Sequence, residues 1–388
     1  MTSMLLLLQT NAYGFSAYSN KELDQLEKEF KQTINQSPLV IRNPLAKTYI
    51  NQLAAKLAQH GQMDKPYFFI VKSPEINAFA GPGGYIGVNT QLILASDSES
   101  ELAAVMAHEM AHVRLHHLYR MIEHQKQMQI PQLAGLLAAA ALGMINPILG
   151  SGALMGTMSG LQQDSINFVR SNEKEADSIG ISILSKANFD PNGMPNFFKK
   201  MQENMRYYYT DNIPAILRTH PLDEDRIAEA QNRIALLPPH HVEGSSIDYY
   251  YFKELIRHEV KHDPQKLVEY YQKMCPKNSP AFACQYGLGL SYIELNQMSK
   301  AKSVLESQQN KENPFLNLAL AQAAQSSGHT NDAESIYQKF YSESPDNSAV
   351  ISQYSEFLNN QENNPQKALS MLKIAHRKMK QDLGICLK

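Results

Sequence analysis

The feature that most restricts this chain is a pair of histidines four residues apart, in His108-Glu109-Met110-Ala111-His112. Leu102, Val105, Met106 and Val113 recur around it at helical spacing, so the segment reads as an amphipathic helix. On a helix, positions i and i+4 share a face one turn apart. Two imidazoles held in that way fill two vertices of a tetrahedral zinc site. Glu109 sits beside the first histidine but off the ligand stripe, where a carboxylate can take a proton from metal-activated water. Ser96-Asp97-Ser98-Glu99-Ser100-Glu101 opens the helix. Ser98 and Glu101 have capping-box spacing, with Ser96 as the other candidate cap, and the acidic first turn suits the helix dipole. The helix is expected to run to about Gln125.

A third ligand is available in Asn172-Glu173-Lys174-Glu175-Ala176-Asp177, on a second long helix expected over Asp164 to Ala187. Glu173 would complete the donor set. Asp177, four residues on, shares its face and would accept the second N–H of a zinc-bound histidine. Glu175 is expected to point elsewhere, into solvent. His116, His117 and His124 extend the histidine run. His116 continues the i, i+4 stripe, either as a competing ligand or as a surface histidine. In Thr219-His220-Pro221 the histidine precedes a proline and is held extended, so it can approach the metal from another element. Arg226 follows one to two turns into the next helix, as an oxyanion donor or as a surface ion pair.

The remaining chain organises around these segments. Its length implies two or three domains. Apolar residues make up 43% and charged residues 19%, a globular balance. A net charge of -2 gives no field that would favour nucleic acid. Helices are expected from Asn20 to His60, punctuated by Pro38 and Pro44, followed by strands at Tyr67–Val71, Ile76–Ala80 and Tyr85–Val88, the last two joined by Gly81-Pro82-Gly83-Gly84. Helices are also expected from Met194 to Tyr208 and from Pro221 to Leu237. Between Lys126 and Asp164 there is no charged residue. Asn146-Pro147 and Gly150–Gly152 break that stretch too often for a transmembrane helix. It reads as a buried helical hairpin, a membrane-touching segment or a cover over the active site. Residues 1–19 read either as a signal-peptide remnant or as a frayed apolar tail. After the linker Pro238-Pro239-His240-His241 the pattern is all-helical. Ala301, Ala333 and Ala368 fall near the tetratricopeptide spacing of about 34 residues. Cys275 and Cys284 are either unrelated thiols or a bridge across a helical turn, which needs an oxidising compartment.

In order along the chain, Asn77-Ala78-Phe79-Ala80, Gly83-Gly84, His-Glu-Met-Ala-His, Glu173-x-x-Ala-Asp177 and Thr-His-Pro resemble the HtpX-like and CAAX-prenyl-protease-like metallopeptidases. The resemblance implies an α+β zincin-type domain over residues 20–238, mostly helical with a small sheet, and an all-α tetratricopeptide-like domain over 246–388. It implies zinc on His108, His112 and Glu173, with Glu109 as general base, Asp177 behind a ligand and Arg226 near the site. His220 would match a histidine that can take the fourth zinc position and hold the enzyme quiet. Strand Tyr85–Val88 would supply the edge on which substrate lies extended. It further implies a periplasmic location, outer-membrane proteins as clients and contact with the barrel-assembly machinery, in chaperone and degradative roles. Two rivals are a repeat-based adaptor whose zinc is structural and an integral membrane metallopeptidase.

Overall fold

The computed structural model describes residues 20–61, 66–127, 163–207, 215–222, 224–261, 263–273, 279–308, 312–360 and 364–378. The apolar leader over 1–19 and nearly all of the uncharged stretch lie outside them, as do Cys275, Cys386 and the side chains of Tyr207 to Tyr209. Two helices come first, α1 (Asn20–Gln36) and α2 (Pro44–Gly61). Strands β1 (Tyr67–Val71), β2 (Ala78–Ala80) and β3 (Tyr85–Asn89) follow, then α3 (Thr90–Ala95), α4 (Glu99–Arg114) and α5 (His117–Gln127). Next are α6 (Gln163–Lys186), α7 (Gly193–Tyr207), α8 (Ala215–Thr219) and α9 (Glu224–Ala235). The paired helices are α10 (Ile247–Val260), α11 (Pro264–Lys273), α12 (Ala281–Glu294), α13 (Met298–Glu306), α14 (Pro314–Ser326), α15 (Thr330–Glu343), α16 (Ser348–Asn360) and α17 (Pro365–Lys378). The architecture is therefore mostly helical with one small sheet, followed by a series of helix pairs.

The sheet corrects one expectation. Its order is β1-β3-β2, with β3 parallel to β1 and antiparallel to β2. Tyr85–Val88 is thus the central strand, and its hydrogen-bonding groups on both sides face neighbours. Such a strand cannot accept a substrate peptide. The outer strand beside α4 is β2. The far side of β1 is tied down, because Asn51 on α2 bonds both backbone groups of Phe68 (2.9 and 3.1 Å) and Val40 bridges Val71. Positive φ angles at Gly83 and Gly84 (73° and 76°) turn the chain tightly from β2 into β3.

Ser98 is the cap of α4, its hydroxyl accepting from Glu101 N at 3.2 Å. Glu101 reaches back to Asp97 N (2.8 Å) instead of Ser98 N, so the box closes one residue early. The long helix expected to run to Gln125 is broken. Arg114 ends α4, and His116 takes a left-handed φ of 55° before α5 restarts at His117. A non-glycine residue there costs roughly 1–2 kcal/mol, and histidine is among the residues that tolerate it best. The inner face of α4 is small: Ala103, Ala104, Ala107 and Ala111 are all buried. Gly180 on α6 meets that face so closely that an added Cβ would lie 3.3 Å from the His108 backbone nitrogen. The two helices run antiparallel at this short separation.

The helix pairs dock on α2 and on the start of α4. Tyr49 stacks on Phe252 with ring centroids 4.3 Å apart. Glu99, in the first turn of α4, accepts from Tyr49 Oη (2.6 Å), Ser246 N (2.6 Å) and Ser246 Oγ (2.9 Å). The same Ser246 hydroxyl caps α10 by accepting from Tyr249 N. Farther along, Thr48 on α2 meets Ser348 on α16 at 2.7 Å. A single apolar core runs from Leu45 through α4 and α6 to Met371. Glu99→Ala would leave buried donors without acceptors. It is expected to lower unfolding stability by about 2–4 kcal/mol, read from urea denaturation, with metal stoichiometry unchanged.

Candidate metal centre

Four side chains from three elements converge. His108 and His112 come from α4, Glu173 from α6, and His220 from the turn that ends α8. One donor atom of each lies within 4.8 Å of all the others. His108 Nε2 is 2.9 Å from His112 Nε2, 3.3 Å from His220 Nδ1 and 3.4 Å from Glu173 Oε2. His220 Nδ1 is 3.1 Å from Glu173 Oε1. Lone pairs aimed at one point repel unless a cation stands between them, and here the donor set is the nitrogen and oxygen mixture that zinc takes.

Charge counting reaches the same place. Glu109, Glu173 and Asp177 are buried together with one guanidinium, that of Arg226. Three negative charges against one positive leave a deficit that a divalent cation would cancel, and burying such a deficit uncompensated is costly. Without metal, protons fill the same role. Burial pushes the His108 imidazole down, but Asp177 and Glu173 outweigh it and push it up to about 10. His220 is raised as well: burial opposes this, and Glu173 and Glu109 overcome it. His112 is lowered, chiefly by burial, and stays neutral. The neighbouring histidines hold Glu173 well below the usual carboxylate range despite its burial.

The surroundings of these ligands are built in. Asp177 Oδ1 lies 2.9 Å from His108 Nδ1. Arg226 grips Asp177 with two bonds (2.8 and 2.9 Å), meets Glu173 Oε2 at 3.0 Å and donates to the Pro221 carbonyl at 2.7 Å. The structure thus places Arg226 behind the cluster, tying α6 to the His220 turn. Glu109 is 1% exposed, and its oxygens accept no hydrogen bond among the described residues. The nearest ion-pair partner is His220 Nε2, 3.3 Å from Glu109 Oε1. Glu109, His108 and His220 edge a cleft of about 430 Å³, part of it open to solvent. Apart from Arg226 its other walls are apolar, including Val105, Met194, Phe197, Met201 and Leu222.

His116 is exposed at the helix break and away from the cluster. His124 stacks on Phe168 with centroids 4.5 Å apart. Sequence reasoning named His117 in the histidine run but gave it no role; it is buried with its Nδ1 2.8 Å from His112 Nδ1. Glu175, expected in solvent, is half-exposed and bonded to both His117 and Arg120. No signal in the sequence marks this, because it depends on the break at His116.

Residues 44–234 match the model for peptidase family M48. Over 302 residues the chain is 36% identical to the beta-barrel assembly-enhancing protease of Escherichia coli strain K12, covering 76% of this chain and 60% of that protein. Over residues 44–234 the chain belongs to peptidase family M48. The relative from Yersinia pestis is 34% identical over 300 residues, covering 76% and 61%. A mitochondrial metalloendopeptidase of Bos taurus is 31% identical over 169 residues, covering 42% and 31%. The chain spans about three fifths of the length of the beta-barrel assembly-enhancing proteases it matches. Among the described residues, no helix is long and apolar enough to cross a membrane.

A metal-ligating histidine must be neutral on its ligand nitrogen. Because Asp177 and Glu173 hold His108 protonated in the metal-free site and His220 is pushed in the same direction, zinc binding at neutral pH is expected to release about one proton or more. Affinity should therefore rise with pH. Calorimetry in buffers of different ionisation enthalpy measures the number, and a release of zero contradicts the assignment.

Proposed function

We propose that this M48 peptidase is a zinc endopeptidase of the periplasm that cleaves unfolded or misassembled outer-membrane proteins and assists the assembly of others. The observation that carries the catalytic reading is Glu109. It is a buried carboxylate that accepts no hydrogen bond among the described residues, has His220 Nε2 at 3.3 Å, and stands beside a four-donor metal cluster without belonging to it. A purely structural zinc site would not need it. In this reading His108, His112 and Glu173 hold zinc, and Asp177 orients His108. When bound, zinc supplies Lewis acidity toward a peptide carbonyl and lowers the pKa of water. Glu109 accepts the proton of the attacking water and delivers one to the leaving amine. Arg226 positions Asp177, Glu173 and the His220 turn, since its donors are directed at them. The apolar cleft beside Glu109 suits a large apolar side chain next to the scissile bond, and β2 offers the strand edge for an extended peptide.

His220 is the resting latch. Its Nδ1 belongs to the donor cluster while its Nε2 faces Glu109, so one ring obstructs both the fourth ligand position and the base. Clients and partners follow from the relatives named for beta-barrel assembly. Outer-membrane proteins would be the substrates and the barrel-assembly machinery the partner. The peptidase unit over 20–238 would receive them with the repeat unit over 246–388. Cys284 is disulfide-bonded, which fits an oxidising compartment.

Glu109→Gln is expected to keep zinc and to cut cleavage of an unfolded envelope protein by roughly 10²–10⁴-fold. Retained cleavage would sink the mechanism. His220→Ala should raise cleavage and weaken zinc binding. No gain in proteolysis together with unchanged metal affinity would remove the latch.

A further inference from the structure

Each motif histidine has one ring nitrogen in the donor cluster and a second that points away from it. For His108 the outer nitrogen meets Asp177, as expected of a metal ligand. For His112 it meets another histidine. His112 Nδ1 and His117 Nδ1 are 2.8 Å apart, and His117 Nε2 is 3.3 Å from Glu175 Oε2. Arg120 Nη1 holds the same carboxylate oxygen at 3.1 Å.

The direction of these bonds is fixed by the ligand. A His112 that offers the Nε2 lone pair to a metal carries its proton on Nδ1 and donates it outward. His117 Nδ1 must then accept, so the His117 proton sits on Nε2 and points at Glu175, a carboxylate that can only accept. One arrangement satisfies all three groups. We propose that His117 is a positioning residue for the metal centre, fixing the tautomer and ring orientation of His112 through a chain that ends on Glu175 and Arg120. The inference rests on the zinc reading of the site.

The backbone break makes the contact. On an unbroken helix, residue 117 would lie about 140° around the axis from residue 112, given about 100° per residue. The left-handed turn at His116 swings His117 back under the His112 ring. This histidine is not a ligand, because Nδ1 of His112 stands between it and the cluster. It is 4% exposed and is not a surface group either.

Zinc affinity, measured by chelator competition, tests the chain. His117→Ala is expected to bind zinc about 10–100-fold more weakly, the usual loss when a partner of a metal-bound histidine is removed. His117→Gln, whose amide oxygen can accept the same bond, should recover most of that loss. The cobalt(II)-substituted protein should show shifted visible bands in His117→Ala and near-native bands in His117→Gln. Thermal melting of the metal-free variants reports the packing loss separately from the loss of zinc affinity. Wild-type affinity and an unchanged cobalt spectrum in His117→Ala overturn the proposal. So does a His117→Gln variant as weak as His117→Ala. A wild-type protein that fails to bind zinc stoichiometrically instead overturns the reading beneath it.

Discussion

Four donor atoms aimed at one spot set the terms for the rest of this fold. Histidine nitrogens 2.9 Å apart, with a carboxylate 3.4 Å away, stay together only if a cation neutralises them and if the scaffold prevents them from turning aside. The scaffold does this from two sides. Gly180 lets α6 run against α4 at a separation that an added Cβ would crowd, with Glu173 opposite both motif histidines. Behind them, Asp177 with Arg226 and His117 with Glu175 hold the imidazole nitrogens that face away. Arginine suits the first of these positions. Its planar fork serves Asp177 with two bonds while a third nitrogen reaches Glu173 and Pro221, which a lysine ammonium cannot reproduce.

The two buttresses differ in charge, and this bears on chemistry. Asp177 is an anion and pushes electron density toward His108. His117 is neutral and only orients its partner. The ligand set thus receives one charged and one uncharged supporter. With three buried carboxylates already present, a fourth behind His112 would deepen the charge deficit that the metal has to cancel. Glu175 lies at the half-exposed end of its chain, where water shares its charge.

Coupling between the paired helices and the peptidase runs through α2 and the first turn of α4. Glu99 bonds the cap residue of α10 and the hydroxyl of Tyr49, which itself stacks on Phe252. The helix that carries the motif histidines therefore begins at the docking surface, and its N-terminal N–H groups sit among acidic side chains, as its dipole favours. At the other side of the site, Ile216 N bonds Ile76 O just before β2. The helix bearing His220 is thus pinned beside the strand edge where a peptide would lie. On the proposed latch reading, a strand arriving at that edge would take a position next to His220.

What the sequence made legible were features with short-range causes. The i, i+4 histidines, the Ser98 cap, and Glu173 with Asp177 on one face follow from helical geometry within a few residues. The helix pairs follow from a repeat spacing that can be counted. The features that stayed hidden depend on contacts far apart in the chain or on one backbone angle. Strand β3 is central because β1 pairs with it across the β2 turn, and alternation of side chains does not reveal pairing order. Arg226 has the appearance of a surface arginine until α6 arrives beside it. His117 is the clearest case. On a straight helix it belongs to the wrong face, and one left-handed residue at His116 turns it into the support of a metal ligand. The motif that defines the site is local, but its rigidity is contributed by a defect in the helix that carries it.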